Sequence, residues 1–125
     1  MSSLLLVGLG GFVGAILRYT VSGALQRHGG TFPLGTLGVN VIGCLAIGVL
    51  MGLAQYRQLL APELRLFLTL GLLGSFTTFS TFGYETFAML RDSNYFVALS
   101  NVAANVVIGF VAVVVGWTLG KGFGN

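Results

Sequence analysis

The sequence predicts an all-α membrane protein of four transmembrane helices, the third of them broken, assembled as an antiparallel homodimer. Three observations predict it: 55% of the residues are hydrophobic and only 7% charged, four apolar stretches are each long enough to cross a bilayer, and the basic residues favour neither side. A soluble domain carries about 25% charged residues, so this composition points to lipid. One domain accounts for residues 1–125, with no linker, repeat or low-complexity tract.

A span needs about 20 mostly apolar residues. The candidates are residues 4–25, 34–54, 66–90 and 96–119, separated by short polar breaks at 26–33, 55–65 and 91–95. The first run has no basic residues before it and no small-residue cleavage site, so it is expected to be a retained span rather than a signal. Four spans put both ends on one side, together with the loop between spans two and three. That side holds Arg57, Arg65 and Lys121, and the other holds Arg18, Arg27 and Arg91. Three against three gives no positive-inside bias. Such a chain either inserts both ways, as dual topology requires, or has a fixed orientation that so few charges fail to reveal.

Depth favours the first option. The span midpoints fall near residues 14, 44, 78 and 107. Arg18, Asn40, Ser80, Thr81, Glu85, Ser100, Asn101 and Asn105 all lie in the half away from the termini, and the other half is apolar apart from Thr69 and Thr118. One copy supplies half of a polar path, and an inverted second copy would supply the rest. Gly10 and Gly14, Gly48 and Gly52, and Gly116 and Gly120 are spaced by four and predict close helix packing without naming the partners.

Span three carries the chemistry. Gly74 with Ser75, Thr77, Thr78, Ser80 and Thr81 forms a glycine and hydroxyl cluster at its centre, where such residues weaken the helical ladder. A break at that depth is tolerated only where protein or a water-filled cavity satisfies the freed backbone groups. Freed carbonyls suit a hard cation such as sodium, and the competing reading is a hydroxyl-rich packing seam. Phe76, Phe79 and Phe82 recur every three residues. They are either packing or an aromatic lining whose positive ring edges contact an anion. Asn40, Ser80 and Thr81 supply neutral donors at similar depth. Arg18 and Glu85, embedded charges near the same side, are candidates for pairing or for a vestibule.

Other classes are excluded. Six scattered basic residues make no nucleic-acid patch, lone Cys44 forms no intrachain disulfide, and His28 stands alone in a loop. Nothing resembles a hydrolase or redox centre, so no enzyme is expected.

Three motifs resemble the Fluc fluoride channels: Gly10-Gly-Phe-Val-Gly-Ala-Ile-Leu-Arg-Tyr19, Gly35-Thr-Leu-Gly-Val-Asn40 and Gly74-Ser-Phe-Thr-Thr-Phe-Ser-Thr-Phe82. The resemblance covers nearly the whole chain. It implies passive, fluoride-selective export across the cell (inner) membrane by a multi-pass, antiparallel homodimer with two pores. It also implies a structural sodium ion at the dimer centre, held by main-chain carbonyls of Gly74 and Thr77. By motif position Phe79 and Phe82 line the pore beside Asn40 and Ser80. Thr81 and Glu85 match family positions, and Asn101 and Asn105 form the polar face of span four. Arg18 is placed as a vestibule attractor. The expected partners are fluoride, membrane lipid and a second copy. A small multidrug-resistance-type transporter shares the length and span count but wants an acidic residue in span one, where this chain has Arg18. A holin-like lesion former usually ends in a charged tail, unlike Lys121-Gly-Phe-Gly-Asn125.

Overall fold

A computed structural model describes residues 2–57 and 60–123, with the Arg57 side chain outside the described part. Four helical stretches in it are long and apolar enough to cross a membrane, and no strand occurs among the described residues. Helix α1 (Ser3–Gln26) starts where Ser2 Oγ accepts the Leu5 N–H at 3.3 Å, the usual way a hydroxyl satisfies a free N-terminal donor. Its end is tied to the next helix by Gln26. That side chain donates to Gly30 and Phe32 carbonyls at 3.2 and 2.9 Å and accepts the Gly35 N–H at 3.0 Å. Helix α2 is Leu34–Arg57.

Span three is composite. It contains α3 (Pro62–Leu66), a π-helical segment (Phe67–Leu73), the short α4 (Gly74–Phe76) and α5 (Phe79–Arg91). Span four contains α6 (Tyr95–Ala103), a second π-helical segment (Ala104–Ile108) and α7 (Gly109–Gly122). These spans are longer than the apolar runs alone predict. Proline at the first position of α3 and polar residues beyond the apolar core still take helical geometry.

The glycine pairs acquire partners. A Cβ on Gly10 would lie 2.5 Å from Phe67 O and 2.9 Å from Gly71 Cα, and one on Gly14 would run into Leu72 O and Ser75 Oγ. A Cβ on Gly48 would lie 3.1 Å from Gly116 Cα, and one on Gly52 3.1 Å from Gly120 Cα. Both pairings rise together along the chain, so span one runs parallel to span three, and span two to span four. At the far end of the second seam Lys121 Nζ sits 5.2 Å from the Tyr56 ring centre and 5.5 Å from that of Trp117. Such an aromatic and basic cluster suits a membrane interface.

Buried hydrophobic residues are few. Val39, Leu73 and Phe76 form the core cluster, while large side chains such as Phe12, Phe79, Phe96 and Phe110 stay exposed. Lipid or another protein surface is what such residues face in a membrane.

Candidate functional site: the break in span three

The helix stops at Phe76 and restarts at Phe79. Between them Thr77 (φ −82°, ψ 160°) and Thr78 (φ −149°, ψ 116°) are extended. The glycine and hydroxyl cluster begins at Gly74, but Gly74 itself is helical (φ −59°, ψ −34°). Glycine tolerates the helix there. Local hydroxyls also close back on it, with Ser75 Oγ donating to Gly71 O at 3.0 Å and Thr77 Oγ1 to Leu73 O at 3.2 Å.

Asn40 of α2 covers the break. Its Oδ1 accepts the Thr78 N–H at 2.8 Å, and its Nδ2 donates to Thr78 O at 3.1 Å. The Thr78 N–H, which would otherwise continue the ladder to Gly74 O, is thereby diverted. Ending a helix frees its last carbonyls, and starting one frees its first N–H groups. Thr78 Oγ1 caps α5 by accepting the Thr81 N–H at 3.2 Å, and its hydroxyl donates to Thr81 Oγ1 at 2.9 Å. Two helix ends therefore meet within two residues. The α4 end presents carbonyl oxygens and the negative end of a dipole, and the α5 start presents N–H groups and the positive end.

An open depression of about 440 Å³ lies against this break. Asn40, Gly74, Thr77, Phe79, Phe82 and Asn105 all line it, which brings together most of the residues singled out from the sequence. The phenylalanine series is split by the break. Phe76 is 5% exposed in the core and Phe79 is 83% exposed. The Phe79 and Phe82 rings lie 5.6 Å apart at 56°. Ser80 is exposed on the first turn of α5.

The remaining candidates lie apart from the depression. Glu85 does not pair with Arg18: Thr36 Oγ1 donates to Glu85 Oε1 at 2.8 Å, and Glu85 Oε2 is buried without a partner. Among the described residues the ion pair present is Arg91–Asp92 at 3.1 Å, at the exposed end of α5. Arg18 sits on α1, half-buried. Asn101 is fully buried and connects to Asn105, whose Nδ2 donates to Asn101 Oδ1 and O at 3.0 and 2.9 Å. Three residues escaped notice in the sequence. Thr36 holds Glu85, Thr86 accepts from Asn101 Nδ2 at 3.0 Å, and Gly43 leaves room for the Thr77 methyl. Thr36 had a signal, because it stands one helical turn before Asn40 on the same face.

No group of three or more His, Cys, Asp or Glu side chains is placed to hold a metal among the described residues. A cation here would rely on main-chain oxygen. The end of α4 supplies it, and the ψ of 160° turns the Thr77 carbonyl out of the helical ladder. These neutral oxygens fit a hard monovalent cation.

Known proteins match the chain along most of its length. The family described as CrcB-like protein, Camphor Resistance (CrcB), matches residues 5–117. A Methanosarcina barkeri protein named Fluoride-specific ion channel FluC 3 is 45% identical over 122 residues, covering 98% of this chain and 92% of its own. Fluoride-specific ion channel FluC 1 of Methanosarcina acetivorans is 47% identical over 116 residues, covering 93% and 88%. Fluoride-specific ion channel FluC of Chloroflexus aurantiacus is 46% identical over 126 residues, covering all of both chains. These relatives are named as ion channels, not enzymes.

Proposed function

The chain belongs to the family of CrcB-like proteins, and from that premise we propose that it is a fluoride-selective channel exporting fluoride passively across the cell membrane. The observation that carries the reading is the break at Thr77–Thr78, whose two helix ends open onto one depression beside exposed Phe79. Fluoride is small and strongly hydrated, so a pore must replace its water with close donors and still release it. The first turn of α5 offers N–H groups and the Ser80 and Thr81 hydroxyls, and a helix start attracts anions. The edges of Phe79 and Phe82 add weak positive contacts. Asn40 borders the same path, Asn101 and Asn105 support it from span four, and Arg18 and Glu85, apart from the depression, would serve its vestibule.

The assembly is an antiparallel homodimer of oppositely inserted copies. The even basic count and the one-sided polar half support it, as does a depression at the break that stays open on the single protomer. Carbonyls of Gly74 and Thr77 from both copies would hold one structural sodium ion on the two-fold axis. Its positive charge would lower the cost of bringing two anions near the centre.

Purified protein in liposomes tests the function. Fluoride efflux with chloride retained is the expected result. Equal leak of both anions, or proton flux coupled to a drug, overturns it.

A further inference from the structure

One chain of amides connects span four to the break. Asn101 Nδ2 donates to Thr86 Oγ1 at 3.0 Å, and Asn105 Nδ2 donates to Asn101 Oδ1 at 3.0 Å. Asn105 Oδ1 then accepts from Asn40 Nδ2 at 3.0 Å. Asn40 closes the chain on Thr78, one bond to its carbonyl and one from its N–H. An asparagine amide has two N–H donors. Both donors of Asn40 are used, one on Thr78 O and the other on Asn105 Oδ1.

That count fixes the orientation of the amide. Flipping Asn40 would put its NH2 against the Thr78 N–H and its oxygen against both Thr78 O and Asn105 Oδ1, so every contact would become a repulsion. Asn105 is held in turn, because its own donors go to Asn101 O and Oδ1. Asn105 also stands in the π-helical segment Ala104–Ile108. Such wide turns mark functional sites more often than plain helix.

We infer that Asn105 is a positioning residue for the break in span three: it takes the spare N–H of Asn40 and so locks that amide in the one orientation that covers Thr78. The carbonyls and N–H groups left uncovered at Thr77 and Phe79 then stand in fixed places, ready for ions. Asn101 extends the lock to Thr86 on α5, so the half of span three beyond the break is held by the same chain. A break in a membrane helix that lacked this cover would leave Thr78 unsatisfied in a medium without competing water. Only the flux arm of the test rests on the channel reading.

The experiment uses the full-length protein in lipid nanodiscs, with selective 15N labelling of Asn, Thr and Gly and hydrogen exchange followed by NMR. In the unchanged protein the Thr78 amide and the Asn40 side-chain protons exchange slowly. In Asn105→Leu both lose protection by about tenfold, the scale of one lost hydrogen bond. The Gly48–Gly52 backbone, packed on α7, keeps its protection, and fluoride efflux per assembled protein falls. Asn105→Gln is the rescue. Its longer amide keeps an oxygen to accept from Asn40 and an N–H to donate to Asn101, and restores Thr78 protection. If Thr78 is as protected in Asn105→Leu as before, or if the loss spreads equally to Gly48–Gly52, Asn105 is a general helix fastener and the inference fails. Loss of Thr78 protection in a protein that conducts no fluoride sustains the inference and sinks the channel reading instead.

Discussion

The seam between α2 and α7 and the break in span three answer one constraint in opposite ways. Lipid provides no partner for a backbone N–H or C=O, so each group must be satisfied within the protein. Along the seam both backbones stay in continuous helix, Leu34–Arg57 and Gly109–Gly122. The helices need only close approach, which Gly48, Gly52, Gly116 and Gly120 permit. At the break the ladder is interrupted, and a side chain from another helix, Asn40, covers Thr78 on both sides. The seam has no groups left over for chemistry. The break has leftover groups at both helix ends, and they face the depression.

The largest expected effect follows from the seam. A Cβ on Gly116 would overlap Leu45 O, which belongs to rigid backbone. Gly116→Val should therefore force the helices apart and remove most folded protein, beyond the roughly 1–3 kcal/mol typical of overpacking. Size exclusion in detergent reads it as loss of the monodisperse peak. A normal peak would mean that the seam yields easily and that the two regions differ less than their geometry implies.

A change at the break should do the reverse. Phe82→Ile or Phe79→Ile removes a ring edge beside the depression while leaving the core cluster of Val39, Leu73 and Phe76 untouched. Fluoride efflux per assembled protein should fall by at least about tenfold, equivalent to roughly 1.4 kcal/mol, with the size-exclusion profile unchanged. Weakened assembly with undiminished flux would identify the rings as packing.

The two regions were not equally legible in the sequence. Four spans and the glycine pairs follow from hydropathy and spacing, because a membrane helix is a local solution to the backbone constraint. Helix ends were less legible. Pro62 and Glu63 belong to span three although neither is apolar in the way a hydropathy window requires. The glycine and hydroxyl cluster at 74–81 was visible, but which residues leave the helix was not. Thr77 and Thr78 are chosen by an amide arriving from α2, and local composition carries no record of that. The contact of Glu85 was hidden for the same reason. Its partner Thr36 lies 49 positions away, and pairing with Arg18 was only one of the two options its charge offered. The π-helical segments had no visible signal either, since they depend on which carbonyl each N–H selects.

Orientation is a third test, of intermediate size. With Arg57, Arg65 and Lys121 on one side and Arg18, Arg27 and Arg91 on the other, C-terminal reporter fusions should register both orientations in cells. Two added lysines in the loop after α2 should drive that chain to one orientation and abolish its flux alone, and a partner chain biased the other way should restore it. A single orientation in the unmodified chain defeats the antiparallel assembly.

The smallest and most discriminating contrast compares two open glycines. In the protomer a Cβ on Gly8 meets nothing within 4 Å, and one on Gly74 meets only Thr69 O, at 3.6 Å. By protomer geometry alone, alanine at either position should be tolerated, and should stabilise a helix by roughly 0.5–1 kcal/mol through the glycine entropy it removes. The proposed dimer separates them. Gly74 lines the depression at the break, where a second copy would bring its own carbonyls, while Gly8 belongs to the exposed face of α1. Gly8→Ala should leave flux unchanged and raise the melting temperature slightly. Gly74→Ala should cost flux, and the loss should grow as sodium is removed from both sides, because the added methyl crowds the shared oxygen cage and weakens cation binding. Thr77→Ser is the control: it keeps the main-chain oxygen and should keep the sodium response of the unmodified protein. If Gly74→Ala behaves like Gly8→Ala at every sodium concentration, no second copy closes over the break at Gly74, and the carbonyl end of α4 faces lipid or water instead.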